Sequence, residues 1–322
     1  MTTHHGMTRR NFTAQMALAG AALLVPQPSI AADEKPTAVN FGFTLYGMRK
    51  LPITEAIQVC ADIGYGSVEL ACMADWPGAP EVLSKALRIE IINRLQNTGI
   101  EVASLMENLS PLAEAKIHEA NLERLKRTFE LGHDLSPNST PVVETVLGGK
   151  PAEWEQVKGR MVERLHDWAR IAEAGKTTIA LKPHVGGALH SPEGAQWLME
   201  QLSSPWLKLA YDFSHFELRG RVLTETLDLM LPQTAFIHVK DTQGDASKFQ
   251  FLLPGDGKTD YLTYFRYLKQ KSYSGPIVVE VSGQLHSRAD YDAVAAAKKS
   301  YAKLAPILAE TGLWKPKGTP RS

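Results

Sequence analysis

Four short runs in the C-terminal half of the chain end apolar, strand-like stretches on side chains that can do chemistry. They are Lys182-Pro183-His184, Tyr211-Asp212-Phe213-Ser214-His215, Ile237-His238-Val239-Lys240-Asp241 and Val278-Val279-Glu280-Val281-Ser282. Asp, His and Glu brought to the ends of parallel strands have the donor set of a divalent-metal site, suited to Mn, Mg or Zn. Asp212, His238 and Glu280 are therefore the candidate metal ligands. Glu280 follows Ile277-Val278-Val279, and a carboxylate buried there is costly without a cation. Lys182 is the unusual member, a cation where a further ligand would be most useful.

For these residues to meet, strands must carry them to one place. Strand-type runs at 39–45, 67–70, 101–105, 141–147, 177–182, 207–211, 235–239 and 277–281 alternate with helical spacing at 53–63, 84–96, 115–131, 154–174, 192–202, 224–230, 261–270 and 291–308. Eight strands in strict alternation with helices predict a single closed (β/α)8 TIM barrel of parallel strands. No glycine-rich phosphate fingerprint follows the first strand, which argues against a dinucleotide-binding sheet. Side chains two apart on a strand share a face. Ile179 and Leu181 should face the helices, leaving Ala180, Lys182 and His184 inside. Asp212, His238 with Lys240, and Glu280 with Val278 point inward by the same rule. All of them lie at strand C-terminal ends, where barrel active sites are built.

The chain has 322 residues, with 35 basic and 35 acidic side chains. No basic cluster stands out, so nucleic acid is excluded as a partner, since phosphate binding needs a basic footprint. Residues 1–32 have the form of a twin-arginine signal peptide, with Arg9-Arg10 ahead of an uncharged apolar stretch and Ser29-Ile30-Ala31-Ala32 as the cleavage region. That predicts export to the periplasm and no stable membrane association after cleavage. The barrel is expected over 33–313, with a loose tail at 314–322. Cys60 and Cys72 read as small buried hydrophobes, with a disulfide as the alternative.

The chain resembles the xylose isomerase-like barrels of the sugar phosphate isomerase or epimerase type. The resemblance rests on Val68-Glu69-Leu70, Asp212-Phe213-Ser214-His215, His238-Val239-Lys240-Asp241, Pro254-Gly255-Asp256-Gly257, and Tyr273-Ser274-Gly275-Pro276 leading to Glu280. It implies a metal held by Glu, Asp, His and Glu from four successive strands, with both glutamates moving the substrate proton. Asp212, His238 and Glu280 match the last three, and Lys182 stands where the first glutamate is expected. Three arrangements are open. Lys182 turns aside from a three-ligand metal, acts as a neutral base or nucleophile, or replaces the metal as an internal cation.

The site residues expected from this reading are Glu280 and Lys182 as catalytic groups, with His184, His215, Lys240, Glu69 and Trp76 against the substrate. Lys240 reads equally as a salt-bridge partner of Asp241, and Glu69 as a bridge to a neighbouring strand. The implied reaction removes a proton next to a carbonyl of a sugar or keto-sugar and stabilises the enediolate with a metal or Lys182. Isomerisation or epimerisation follows if the proton returns, and elimination from an oxidised glycoside if a leaving group departs. A silent sugar-binding barrel with a degenerate metal site is the third reading. An oligomer is compatible with all three.

Overall fold

The computed structural model describes residues 39–316; the expected signal peptide at 1–32 lies outside them. Ten strands follow one another: β1 (Phe41–Thr44), β2 (Ser67–Ala71), β3 (Glu101–Glu107), β4 (Val142–Val146), β5 (Ile179–Lys182), β6 (Leu207–Asp212), β7 (Thr234–Val239), β8 (Asp241–Asp245), β9 (Lys248–Leu252) and β10 (Ile277–Val279). Eight close into a barrel in the order β1-β10-β7-β6-β5-β4-β3-β2, every pairing parallel. Helices cover it, among them α1 (Ile53–Ile63), α2 (Lys85–Thr98), α3 (Ala115–Leu135), α4 (Trp154–Ala174) and α5 (Pro192–Leu202). The left-handed Gly64, at φ 112°, ends α1 by donating its N–H to the Cys60 and Ala61 carbonyls.

The parity argument holds inside the barrel. Ala180, Ala210, Phe236 and Val278 form a small apolar layer of their own, separate from the main core between strands and helices. Each stands two residues before Lys182, Asp212, His238 or Glu280, so the polar groups form the next layer toward the C-terminal mouth. Ala180 and Ala210, on β5 and β6, leave room beside the larger Phe236 of β7 and Val278 of β10, and the Phe236 ring lies 4.6 Å from the His238 ring.

Two local features differ from the sequence reading. The antiparallel hairpin β8–β9 inserts after β7, pairing Asp241 with Leu252 through Asp245 with Lys248. Trp314, expected to begin a loose tail, is buried against Phe41 and Tyr301, and Val39 N–H donates to the Leu313 carbonyl. Cys60 and Cys72 are both buried and unpaired. Among the described residues no helix is long and apolar enough to cross a membrane.

Candidate active site

Lys182 ends β5 with its ammonium at the centre of the barrel mouth. Its Nζ lies 2.8 Å from Glu280 Oε2, 3.4 Å from Asp212 Oδ2 and 2.7 Å from His238 Nδ1. The ammonium donates to His238 Nδ1, so His238 carries its ring proton on Nε2 and donates it to Glu69 Oε1 at 3.0 Å. Lys240, one step beyond β7, also donates to Asp212 Oδ2 and, at 2.5 Å, to Glu280 Oε2. Two ammonium groups thus share one pair of carboxylates. Asp212 divides its oxygens. Oδ1 caps the short helix α6 (Phe213–Glu217), accepting from Ser214 N at 3.1 Å and Ser214 Oγ at 2.6 Å, while Oδ2 faces the lysines.

The charges are set by this packing. Burial alone would raise the Glu280 carboxyl, but Lys182 and then Lys240 outweigh it and hold it below the usual carboxylate range. Burial likewise opposes charge on Lys182, yet Glu280, Glu144 and Asp212 push its pKa up, so it stays an ammonium. These ion pairs favour the ammonium over the neutral base or nucleophile. His184 is lowered to about 4 by burial and by the two lysines. Its Nδ1 accepts from Gly186 N at 3.1 Å, which leaves the proton of the neutral ring on Nε2.

A cavity of about 340 Å³ opens above these groups, near the lower end of the roughly 300–1,000 Å³ usual for small-molecule sites. Lys182, His184, Glu280, Glu144 and Tyr46 line it. Four expected substrate contacts do not. Glu69 is spent on the protein: Thr44 Oγ1 and Ser104 Oγ donate to it, each at 2.7 Å, and His238 takes the remaining contact. His215 stands behind Asp212 and Lys240, at 3.3 Å and 3.4 Å, and accepts from Val185 N. Lys240 is covered by the hairpin, whose Phe251 ring centre lies 4.7 Å from its Nζ. Trp76 is one layer back, stacked on Tyr46 at 4.6 Å with the Arg49 guanidinium 4.3 Å from its ring centre. The Lys240–Asp241 salt bridge does not form. Asp241 instead accepts from Gly255 N, Gly257 N and the Tyr261 hydroxyl, pinning the Pro254-Gly255-Asp256-Gly257 turn. A Cβ on Gly257 would come within 2.8 Å of the Asp241 Cβ.

Sequence reading missed Glu144 on β4. It is 98% buried by its 2% exposure, lines the cavity, and has Oε1 3.8 Å from Lys182 Nζ, too long for a hydrogen bond. Burial pushes its carboxyl up to about 7, against the lowering influence of Lys182 and His238. The available signal was its parity with Val142, a lone carboxylate on an inward strand face.

Among the described residues two clusters have the composition of a metal site, Glu69/Glu144/His238 and Asp212/His238/Glu280, with donor atoms within 4.8 Å of one another. The second is the set expected to hold a metal. It does not fit one while Lys182 is in place, because the ammonium occupies the focus of its three donors and takes His238 Nδ1. A divalent ion about 4 Å from an ammonium is repelled by about 8 kcal/mol at an effective dielectric near 20.

A closed parallel barrel with acid, histidine and lysine side chains gathered at the strand C-terminal ends has the architecture of a barrel enzyme. Residues 57–308 match the model of the xylose isomerase-like TIM barrel, and the chain belongs to that family. Inosose dehydratase of Geobacillus kaustophilus (strain HTA426) is 24% identical over 282 residues, covering 78% of this chain and 84% of the relative. L-ribulose-5-phosphate 3-epimerase UlaE of Escherichia coli (strain Crooks) is 21% identical over 244 residues, covering 70% and 81%. Among solved structures, the IOLI protein with a binding zinc atom superposes with a TM-score of 0.71 at 18% identity, covering 85% of this chain and 99% of that one. The 3-keto-D-glucoside 4-epimerase YcjR of E. coli, in its apo form, gives 0.65 at 16% identity, covering 83% and 99%. At these identities the structural likeness shows the fold.

Proposed function

We propose that this chain is an exported sugar isomerase or epimerase-like enzyme that removes a proton next to the carbonyl of a sugar or keto-sugar, with Lys182 stabilising the enediolate. The observation that carries the reading is the Lys182 ammonium at the focus of Asp212, His238 and Glu280 on the cavity floor. An ammonium has three N–H donors. Two go to His238 and Glu280, which leaves one for a substrate oxygen. When the proton leaves carbon, the charge arriving on that oxygen meets a donor already oriented and dry, the arrangement that gives electrostatic stabilisation its largest effect. Glu280 takes the proton. Its Oε2 is held by both lysines, and its carboxylate stays ionised across the physiological range. Lys240, His215 and Asp212 hold this assembly from behind, and Glu69 fixes the His238 ring. Tyr46, backed by Trp76, offers an aromatic wall for the apolar face of a sugar ring.

The relatives support the substrate class: two act, by name, on keto-sugars or their phosphates, and one is a dehydratase of inosose. Elimination from an oxidised glycoside shares the first step. It is favoured by the neutral His184, whose Nε2–H can donate to a departing oxygen. The test is solvent-deuterium incorporation into keto-sugars, followed by NMR, with wild type and Lys182→Met. Incorporation with an unchanged or inverted centre supports isomerase chemistry, and an unsaturated product supports elimination. Sugar binding without any exchange would leave a silent binding barrel. Export is tested separately, by fractionation and N-terminal sequencing of the native protein; an intact N-terminus in the cytoplasm refutes it.

A further inference from the structure

The cavity above Lys182 is lopsided. Apart from Glu280, the residues that line it come from β1 to β5 or from the segments that follow those strands. The β6–β7 side is closed by the hairpin, whose Phe251 ring centre stands 4.7 Å from Lys240 Nζ and 5.2 Å from the His215 ring. A sugar whose carbonyl oxygen rests on Lys182 therefore has space on one side, in an arm that runs out over the ends of β2 to β5. That arm has its own chemistry. Met73 and Met106, at its β2–β3 end, and Val146 give it an apolar wall. Methionine is the side chain that adapts best to an irregular apolar surface. Glu107, the carboxylate that ends β3, is already engaged by the protein. Arg124 Nε donates to its Oε2 at 2.9 Å, and Thr128 Oγ1 donates to its Oε1 at 2.8 Å.

At the β4–β5 end of the arm stand two glycine pairs, and they are glycine for different reasons. Gly148 and Gly149 both hold φ at 72°, where a larger residue is strained, so the backbone accounts for them. Gly186 and Gly187 do not share that left-handed φ. A Cβ at Gly186 would meet only the His184 ring, at 3.6 Å and 3.8 Å, and a Cβ at Gly187 would stand 3.5 Å from the Gly148 carbonyl oxygen and the His184 Cβ. Those are ordinary contact distances, so neither conformation nor packing requires glycine at 186 and 187. What the missing side chains leave open is the cavity that both residues line. We infer that this arm is an aglycone subsite. The enzyme takes its keto-sugar as a glycoside, and an apolar or aromatic aglycone lies between Met73 and Met106 at one end and Gly186-Gly187 at the other. Lys182 and Glu280 act on the sugar ring, and the arm selects what the ring carries.

This deepens the keto-sugar reading above and rests on it. The test is calorimetric binding of methyl and phenyl 3-keto-β-D-glucoside to full-length wild type, Gly186→Leu and Met73→Ala. Melting curves show that each is folded, and deuterium exchange is measured on the same samples. Wild type should bind the phenyl glycoside at least about 10-fold more tightly than the methyl one, the lower end of what a fitted apolar pocket discriminates. Gly186→Leu puts a side chain into the arm and should bring that preference down to about threefold or less by exclusion. Met73→Ala removes one wall without closing the arm and should lower the preference by about 3–10-fold. Should Gly186→Leu fail to fold, Met73→Ala alone decides. A wild-type preference below about threefold, or one that both variants leave unchanged, overturns the aglycone subsite, and the keto-sugar reading then stands or falls on the deuterium exchange. Wild type that prefers the phenyl glycoside but exchanges deuterium into neither overturns the enzymatic reading and leaves the subsite. Wild type that binds neither glycoside overturns both.

Discussion

Replacing Lys182 with Glu should turn a self-filled site into a metal site. The wild-type ammonium lies 2.8 Å from Glu280, 3.4 Å from Asp212 and 2.7 Å from His238, so an ion bound by those three would stand about 4 Å or less from a positive charge. The repulsion there is about 8 kcal/mol for a divalent ion at an effective dielectric near 20, and the new carboxylate replaces it with an attraction. Part of that gain is lost. The wild-type lysine can swing aside when an ion is forced in, and Lys240 remains on Asp212 and Glu280 in the variant. A gain of at least about 100-fold in affinity, or about 2.8 kcal/mol, is expected after these reductions. Calorimetric titration of Mn and Zn into both proteins at one pH measures it, with melting curves to confirm that both are folded. Equal or weaker binding by the Glu variant would refute the reasoning, because Lys182 would then not stand where the ion must go.

Other outcomes follow from the same geometry. Lys182→Met leaves Asp212 and Glu280 buried with one cation instead of two, and urea unfolding should show a loss of about 3 kcal/mol; an unchanged midpoint would mean that Lys240 alone suffices. Burial raises the Glu144 carboxyl to about 7 from an ordinary 4.5, so the folded chain retains a proton that the unfolded chain has released between those values. Stability contributed at this position therefore falls as pH rises through that window, and Glu144→Gln, which cannot titrate, should gain on wild type by up to about 3 kcal/mol between pH 4.5 and 7; parallel stability curves would contradict it. Asp241→Ala frees Gly255 N, Gly257 N and the Tyr261 hydroxyl together, and should cost about 2 kcal/mol by thermal unfolding while increasing proteolysis at 254–257. An Asp241→Ala protein as stable and protease-resistant as wild type would show that the turn is held elsewhere.

Strand parity made much of this legible. Lys182, His184, Asp212, His238 and Glu280 each end an apolar run whose alternation states which way the last side chain points, and a closed barrel turns that local fact into convergence. What parity does not state is depth and competition. Glu69, His215 and Lys240 were read as substrate contacts, but each faces protein partners whose identity depends on a neighbouring strand's register. Trp76 was placed in the right region, yet Tyr46 stands between it and the cavity. The hairpin was hidden because Asp241-Thr242-Gln243-Gly244-Asp245 is polar, although Phe249 and Phe251 alternate on its second strand. Glu144 was passed over inside Val142-Val143-Glu144-Thr145-Val146, since a single polar residue in a strand carries weight only once the facing wall is known.

The tethered ammonium of Lys182 also changes what kind of equilibrium governs the site. A bound ion obeys mass action, so its occupancy follows supply, competitors and chelators. A lysine on β5 is present at one equivalent per chain from synthesis onward, and it reaches its place by the same cooperative transition that closes the barrel. On the proposed reading, a site filled by Lys182 needs no loading step and has no half-filled population. Selectivity between ions, which a metalloenzyme must achieve against whatever its surroundings offer, is then not required of it. In exchange the charge is fixed at one unit rather than two. The second lysine, held under the hairpin on the same two carboxylates, restores the total, so that a positive charge of two is divided between neighbouring strand ends and carried wholly by the polypeptide.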